Sequence, residues 1–463
     1  MYDFDEYVEN NFNEAAMIQL GIEDADNNMH YYGLPEAQGF SMMFVRTDIL
    51  AGLDLEVPKT WDDIMACIPT LQANNMQIGL PTDYKIFMYQ QNGELFADKG
   101  MRINLDSKIA LESFEEMCNL FTMYSFPYKY DAANRFRTGE MPILLGDYTG
   151  TYNQLKVFAT ELEGKWEFIP LPGKLQEDGT INNVSISTVA ATVMIKIDEE
   201  KLLKKGVTAE EIENTKFCAW EFMKWFTGAE CQVGFSNEMV AILGPSAKQA
   251  TANKNALANM PWTTAELAEV QSQFNNLAAI PNYPGSYIID RYTNFAFLDA
   301  YNTYADPSSS LVQYIHTINK EIERKREEFD LETLSDGDKD YSTLVEKRTA
   351  QLEYLKGKIS GHDALMEQVL NAVYSGKKSE ILNAQADVQA TLDAKYTNHA
   401  DTYRTDLIKV MGYDMTDTTI SKRTKEKARH CFYYEVYRET ESTVTQLYFV
   451  SEYLGDIATL LNQ

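Results

Sequence analysis

Five histidines, five cysteines and 69 carboxylates are the residues of this chain best suited to bond-making chemistry. Their spacing argues against it. His30, His316, His362, His399 and His430 stand far apart, so neither a zinc site nor a serine–histidine pair is indicated. Cys67, Cys118, Cys218, Cys231 and Cys431 are scattered, odd in number and form no Cys-x-x-Cys, which reads as free, buried thiols. No phosphate-binding glycine loop, dinucleotide fingerprint, HExxH or GxSxG motif occurs. With carboxylates this abundant, choosing two as a glycosidase pair is arbitrary. Two acidic stretches imitate calcium loops. Residues 24–28 lack the glycine and the closing glutamate, and 336–347 has Tyr341 at the sixth position and Lys347 at the twelfth. They read as a turn and a linker. No cofactor, metal or catalytic function is expected.

Non-covalent capture remains, and four places suit it. Glu36 and Gln38 fall between two short strands, a first ended by Pro35 and a second at Phe40–Val45. A polar loop held this way presents hydrogen-bonding groups to a ligand, or is simply a solvated connection. The strand Gln77–Pro81 delivers Asp83 and Tyr84 at its end. A strand after Gly139 delivers Gly146, Asp147 and Tyr148 at its carboxyl end, where open α/β sheets hold their ligand crevice. Pro281 and Pro284 stiffen a loop carrying Tyr283 and Tyr287, which leads into a helix bearing Arg291.

The elements around these places announce themselves by local signals. Thr60 caps a helix over Trp61–Asn74, with Asp62 and Asp63 at its positive end. Asp106 or Ser107 caps another, in which Ala110, Leu111, Phe114, Met117 and Phe121 recur at helical spacing. Gly139 suits a left-handed helix end, and Asp178-Gly179 a hairpin turn. Lys216–Phe226 reads as a helix buried on much of its surface, its Trp220 and Trp225 either core or sugar platforms. The last proline is Pro307. From Thr343, read with Glu346 as a capping box, the pattern is helical, broken near Gly376, His399 and Asp414. The final helix, from about Thr418, opens on a basic cluster (Lys422 to Arg429) that reads as a solvated face.

A chain of 463 residues accommodates two or three domains. Its net charge of −28 argues against nucleic acid and anionic membrane as partners. No apolar run is long enough to span a bilayer, and the acidic start MYDFDEYVENNF is not a signal peptide.

The ordered set YGLPEAQGFSMMFVRTDIL, VPKTWDD, NNMQIGLP, NRFRTGEMPILLGDY, AWEFMKWFT, LGPSAKQATAN, IPNYPGSYIIDRYTNFAF and INKEIERKREEF resembles the extracellular solute-binding proteins of family 1, the sugar-type receptors of ABC importers, in their large Firmicutes variant. The resemblance covers about residues 1–330. It implies a periplasmic-binding-protein-like α/β fold of type 2, two lobes closing like a flytrap, here N-terminally incomplete. It also implies a signal peptide and lipid anchor ahead of the matching region, an extracellular position at the membrane, ABC permease subunits as partners, and a carbohydrate as the solute. Residues 331–342 then form a linker, and 343–463 an all-α module of docking or spacer type. For a sugar, Tyr84, Tyr148, Tyr283 and Tyr287 would stack under C–H faces, while Gln38, Asp83, Asp147 and Arg291 bond hydroxyls. An envelope scaffold that has lost its ligand is the alternative on the same fold.

Overall fold

The structure, a computed structural model, describes residues 4–23, 28–303, 307–334, 341–397 and 438–461. In chain order the elements used below begin with strands β1 (Leu34–Gly39) and β2 (Ser41–Val45), helix α1 (Trp61–Ala73), strand β3 (Ile78–Gly79) and helices α2 (Tyr84–Gln90) and α3 (Lys108–Thr122). Strand β4 (Ile143–Asp147), helix α4 (Tyr148–Phe158), strands β5 (Glu167–Ile169) and β6 (Thr188–Thr192), and helices α5 (Ala209–Thr227) and α6 (Ala229–Leu243) follow. The rest is helical: α7 (Ile289–Thr303), α8 (Pro307–Glu328), α9 (Tyr341–Leu355), α10 (Asp363–Tyr374), α11 (Lys378–Tyr396) and α12 (Arg438–Leu460). The chain divides into two compact units, 1–95 with 124–286 and 96–123 with 287–463.

In the first unit a four-stranded sheet has the order β3-β4-β2-β5. Met42, Met43, Phe44 and Val45 of β2 are all fully buried. Four consecutive buried residues require cover on both sheet faces, which explains an apolar run without alternation. β4 runs antiparallel to β2, with Ser41 opposite Asp147, and β3 runs parallel to β4. The expected helix signals hold. Thr60 and Asp63 form a capping box on α1, and the helix before β4 ends at Gly139 with φ of 82°. Phe40, Phe44, Phe136, Tyr148, Tyr152 and Phe168 share one apolar cluster beside the sheet.

Two expectations fail in this unit. Pro35 does not end a strand: β1 runs through it and pairs with β6, with a register shift between Ala190 and Ala191 where Pro35 lies opposite. A two-stranded ladder asks each residue for hydrogen bonds on one side only, and a bulge tolerates a residue without an N–H. Gln38 is therefore a strand residue, not a loop residue. Nor is α5 buried on much of its surface. Trp220 and Met223 face inward, while Phe217, Phe222 and Trp225 are more than half exposed. Of the cysteines, Cys67 and Cys118 are buried, Cys231 is half-buried and Cys218 is exposed; all four are free. Cys431 lies outside the described residues.

In the second unit α3 packs against α7 and α8, with Phe121 set edge-on to Phe297 at 5.2 Å. Helices α9 to α12 build a separate apolar core from Leu352, Met366, Val369, Ile381, Val388, Leu447 and Leu454. Contacts along α9 and just after it tie this core to α3 and the residue before its cap. Gln351 donates its amide to the carbonyl of Asp106 at 3.0 Å, and Lys358 pairs with Glu112 at 3.4 Å. α9 begins at Tyr341, before Thr343 and inside the stretch read as linker. The expected break is present between α10 and α11, where Gly376 takes φ of 65°. The breaks near His399 and Asp414 and the basic cluster at 422–429 lie outside the described residues.

Candidate ligand-binding site

Two candidate residues of the first unit, Gln38 and Asp147, lie beside one short segment, Ser185–Thr188. Ser185 and Ser187 are buried. Gln38, equally buried, donates its amide to Ser187 Oγ at 2.7 Å and exchanges hydrogen bonds with the Asn13 side chain at 3.0 and 3.2 Å. Gln19 donates to the Ser187 carbonyl, and Asn282 donates to the Gln19 carbonyl at 2.9 Å. The loop carrying Tyr283 is thereby tied, through two side-chain amides, to the serine that holds Gln38. Ser41 N–H donates to Ser185 Oγ at 3.0 Å, and α2 packs against Ser185–Ile186.

Thr188 closes the segment. Its hydroxyl donates to the Gly39 carbonyl at 3.3 Å. Gly39 keeps the corner open: a Cβ there would stand 2.8 Å from Thr188 Oγ1 and 3.2 Å from Asp147 Oδ2. A side chain at this position would push the Thr188 hydroxyl and the Asp147 carboxylate away from the backbone they approach. Asp147 is exposed and caps α4, its Oδ1 accepting from Gly150 N–H at 2.6 Å and Thr149 Oγ1 at 3.1 Å. Asp83 does the same for α2, accepting from Lys85 N–H at 3.1 Å. Both carboxylates are oriented by the N–H groups at the helix N-termini that they cap.

The two tyrosines that follow these caps are placed differently from their expected role. Tyr148 is fully buried and stacks on Phe40 at 4.1 Å with the rings 6° apart; Tyr84 is 3 % exposed. Burial pushes the Tyr148 phenol above its ordinary range. Neither ring offers a face to solvent here, because the first residue of each helix points into the core that anchors it.

Tyr287 and Arg291 belong to the second unit. They line an open hollow of about 580 Å³ with Lys320, Glu321 and Arg324. Tyr287 is largely exposed and donates its hydroxyl to Glu321. Arg324 grips the same carboxylate with two N–H groups at 2.8 and 2.6 Å and, with Tyr287, holds its pKa down to about 2.

Sequence reasoning missed Asn13, Ser185, Ser187 and Thr188. The signal was an apolar/polar alternation, Val184-Ser185-Ile186-Ser187, which reads as a half-exposed strand. Burial of the serine side follows only from the approach of β1 and residues 13–19. Among the described residues no group of three histidine, cysteine or carboxylate side chains could hold a metal ion. Among the same residues no helix is long and apolar enough to cross a membrane.

A family model described as bacterial extracellular solute-binding protein matches residues 1–265. None of the curated proteins matches the chain. Several solved structures share the fold. The cyclic alpha-maltosyl-1,6-maltose binding protein from Arthrobacter globiformis has a TM-score of 0.53 and 14% identity, over 69% of this chain and 78% of its own. The sugar-binding protein MalE from Xanthomonas citri has a TM-score of 0.52 and 15% identity, over 70% and 77%. The GacH receptor of Streptomyces glaucescens has a TM-score of 0.51 and 11% identity, over 70% and 76%. At these identities the likeness is one of fold, the two-lobe α/β architecture of periplasmic sugar-binding proteins, here with a helical C-terminal region.

Proposed function

Since this chain belongs to the bacterial extracellular solute-binding proteins, a family that binds solutes and does no catalysis, we propose that it captures a maltose-type oligosaccharide for an ABC importer. The observation that carries this reading is the family match over residues 1–265. The maltosyl-maltose named for one relative and the acarbose bound by another support the choice of sugar class. The polar corner built on Ser185–Thr188 supports the chemistry.

Sugar hydroxyls need acceptors and donors that are already aimed, and sugar C–H faces need exposed aromatic rings. Asp83 and Asp147, aimed by their helix caps, accept hydrogen bonds from sugar hydroxyls. Gln38 positions this corner through Ser187. Tyr283 stacks in the first unit; within the second unit Tyr287 and Arg291 line a hollow of their own, where an exposed ring and a guanidinium can meet a sugar. Tyr84 and Tyr148 serve as anchors that fix the two capped carboxylates. Ligand contacts shared by two lobes favour the closed form, and the closed receptor hands its sugar to permease subunits at the extracellular face of the membrane.

Calorimetric titration with maltotriose and maltotetraose tests the binding. Saturable heat is expected, with affinity reduced about tenfold or more in Asp147→Ala, as loss of a charged hydrogen-bond acceptor implies. A folded protein that takes up no α-glucan overturns the sugar class. Uptake of a labelled maltodextrin that survives deletion of the gene overturns delivery to a permease.

A further inference from the structure

We propose that a second copy of this chain packs on the exposed face of α6, across a two-fold axis at Met239, with α5 widening the contact. The physical oddity is α6 itself. Its sequence, AECQVGFSNEMVAIL, has Glu230 and Glu238 as its only charged residues, yet its one buried residue is Ser236. A helix this apolar ordinarily buries a face. Here Cys231, Phe235, Met239 and Ile242 recur at helical spacing and make a stripe, in which Phe235 and Ile242 are 56% and 74% exposed. The two helices meet at Gly228, and Gln232 pins that corner by donating to the Phe226 carbonyl at 2.8 Å. On α5, Phe222 packs against Trp225 at 5.6 Å and stacks on Phe226 at 5.8 Å, and the first two rings are more than half exposed. None of these residues belongs to the sugar-binding set.

Area and shape select the occupant. Phe222, Trp225, Phe235, Ile242 and Leu243 leave roughly 500 Å² of apolar side chain in water. A standard interface buries about 800 Å² per partner, a little over half of it apolar. This face therefore supplies the apolar share of one side of a stable dimer. The stripe is also self-complementary. In an antiparallel pair, Phe235 of each copy lies opposite Ile242 of the other, and Met239 meets itself at the axis, which closes the assembly at two copies. An anionic bilayer is the poorer cover, because a chain with a net charge of −28 is repelled by it. Charge also fixes the sign of the salt effect. Glu238 neighbours Met239 along the chain, so the two Glu238 carboxylates approach across the axis. Salt screens that repulsion and tightens the pair, whereas salt would loosen a basic partner.

Sedimentation equilibrium of the whole chain, in about 0.05 and about 0.5 M sodium chloride, tests the pairing. A monomer–dimer equilibrium is expected, with the dissociation constant about fivefold lower at the higher salt. Phe235→Asp and Ile242→Asp stand at exposed positions, and each is expected to return the chain to monomer while circular dichroism stays native. Glu238→Gln is expected to tighten the dimer at low salt and to shrink the salt effect. A chain that stays monomeric at about 100 µM in the higher salt overturns the second copy as occupant and leaves the face to a different partner. A dimer that survives both aspartate variants places the contact elsewhere and overturns the proposal. Assembly that grows beyond two copies overturns the two-fold arrangement, and a dimer that salt loosens overturns the role of Glu238.

Discussion

Two buried polar side chains, Arg46 just after β2 and Gln38 in β1, show how single residues fix the first unit. Arg46 grips Asp48 with two N–H groups at 2.7 Å each. A third N–H group donates to the carbonyls of Phe136 and Arg137 at 3.1 and 3.3 Å, the helix end that feeds β4. The guanidinium holds the Asp48 carboxyl below its usual range. Arg46→Ala removes all four bonds and leaves carbonyls unsatisfied. A loss of about 2–3 kcal/mol in urea unfolding is expected, moderated because Asp48 is partly solvated. Gln38→Leu strands the Ser187 hydroxyl and the Asn13 amide. It is expected to cost about 1–3 kcal/mol of stability and also to weaken maltodextrin binding. Loss of stability with unchanged affinity would show that Gln38 is structural only.

At the scale of elements, the C-terminal helices depend on one close approach and one histidine. α12 passes α11 at Gly455, where a Cβ would stand 2.9 Å from Gln385 Nε2, itself donating to the Ser451 carbonyl at 2.9 Å. Gly455→Val overpacks this crossing, and a loss of about 1–3 kcal/mol is expected, read as an earlier loss of helical circular dichroism on heating. His362 precedes α10 and shares a 2.9 Å hydrogen bond with the Tyr396 hydroxyl of α11. Burial, with Lys395 adding to it, pulls the imidazole below its ordinary 6.5. The unfolded chain then takes up the proton first. This contribution to stability is complete above about pH 6.5 and is lost as pH falls through the folded value. Melting temperature should drop between pH 7 and pH 5, and His362→Gln should flatten that part of the curve.

For the whole molecule, charge and connectivity set the terms. A net charge of −28 repels itself across the folded surface. Raising sodium chloride from 0.05 to 0.5 M shortens the screening length from above 10 Å to a few ångströms and is expected to raise the melting temperature. An unchanged melting temperature would mean that local ion pairs, such as Arg348 with Asp456 at 2.8 Å, offset the excess. Connectivity runs against the change in sequence texture after Pro307. Residues 96–123 leave the first unit and join the C-terminal helices in the second, so each unit is built from two separated stretches of chain.

What was legible in the sequence is what short-range physics controls. The caps at Thr60, Ser107 and Gly139 and the hairpin turn at Asp178-Gly179 all stand as read, because each is decided by backbone groups within a few residues. The ordered run of motifs likewise pointed to the family that the match over 1–265 establishes. Only the tertiary structure decided which way side chains face. It took Gln38 into a strand and turned Tyr148 inward and Trp225 outward, and it gave Ser185 and Ser187 their polar partners. Exposure is set by whatever packs alongside, and the partners here come from as far as 168 residues away along the chain.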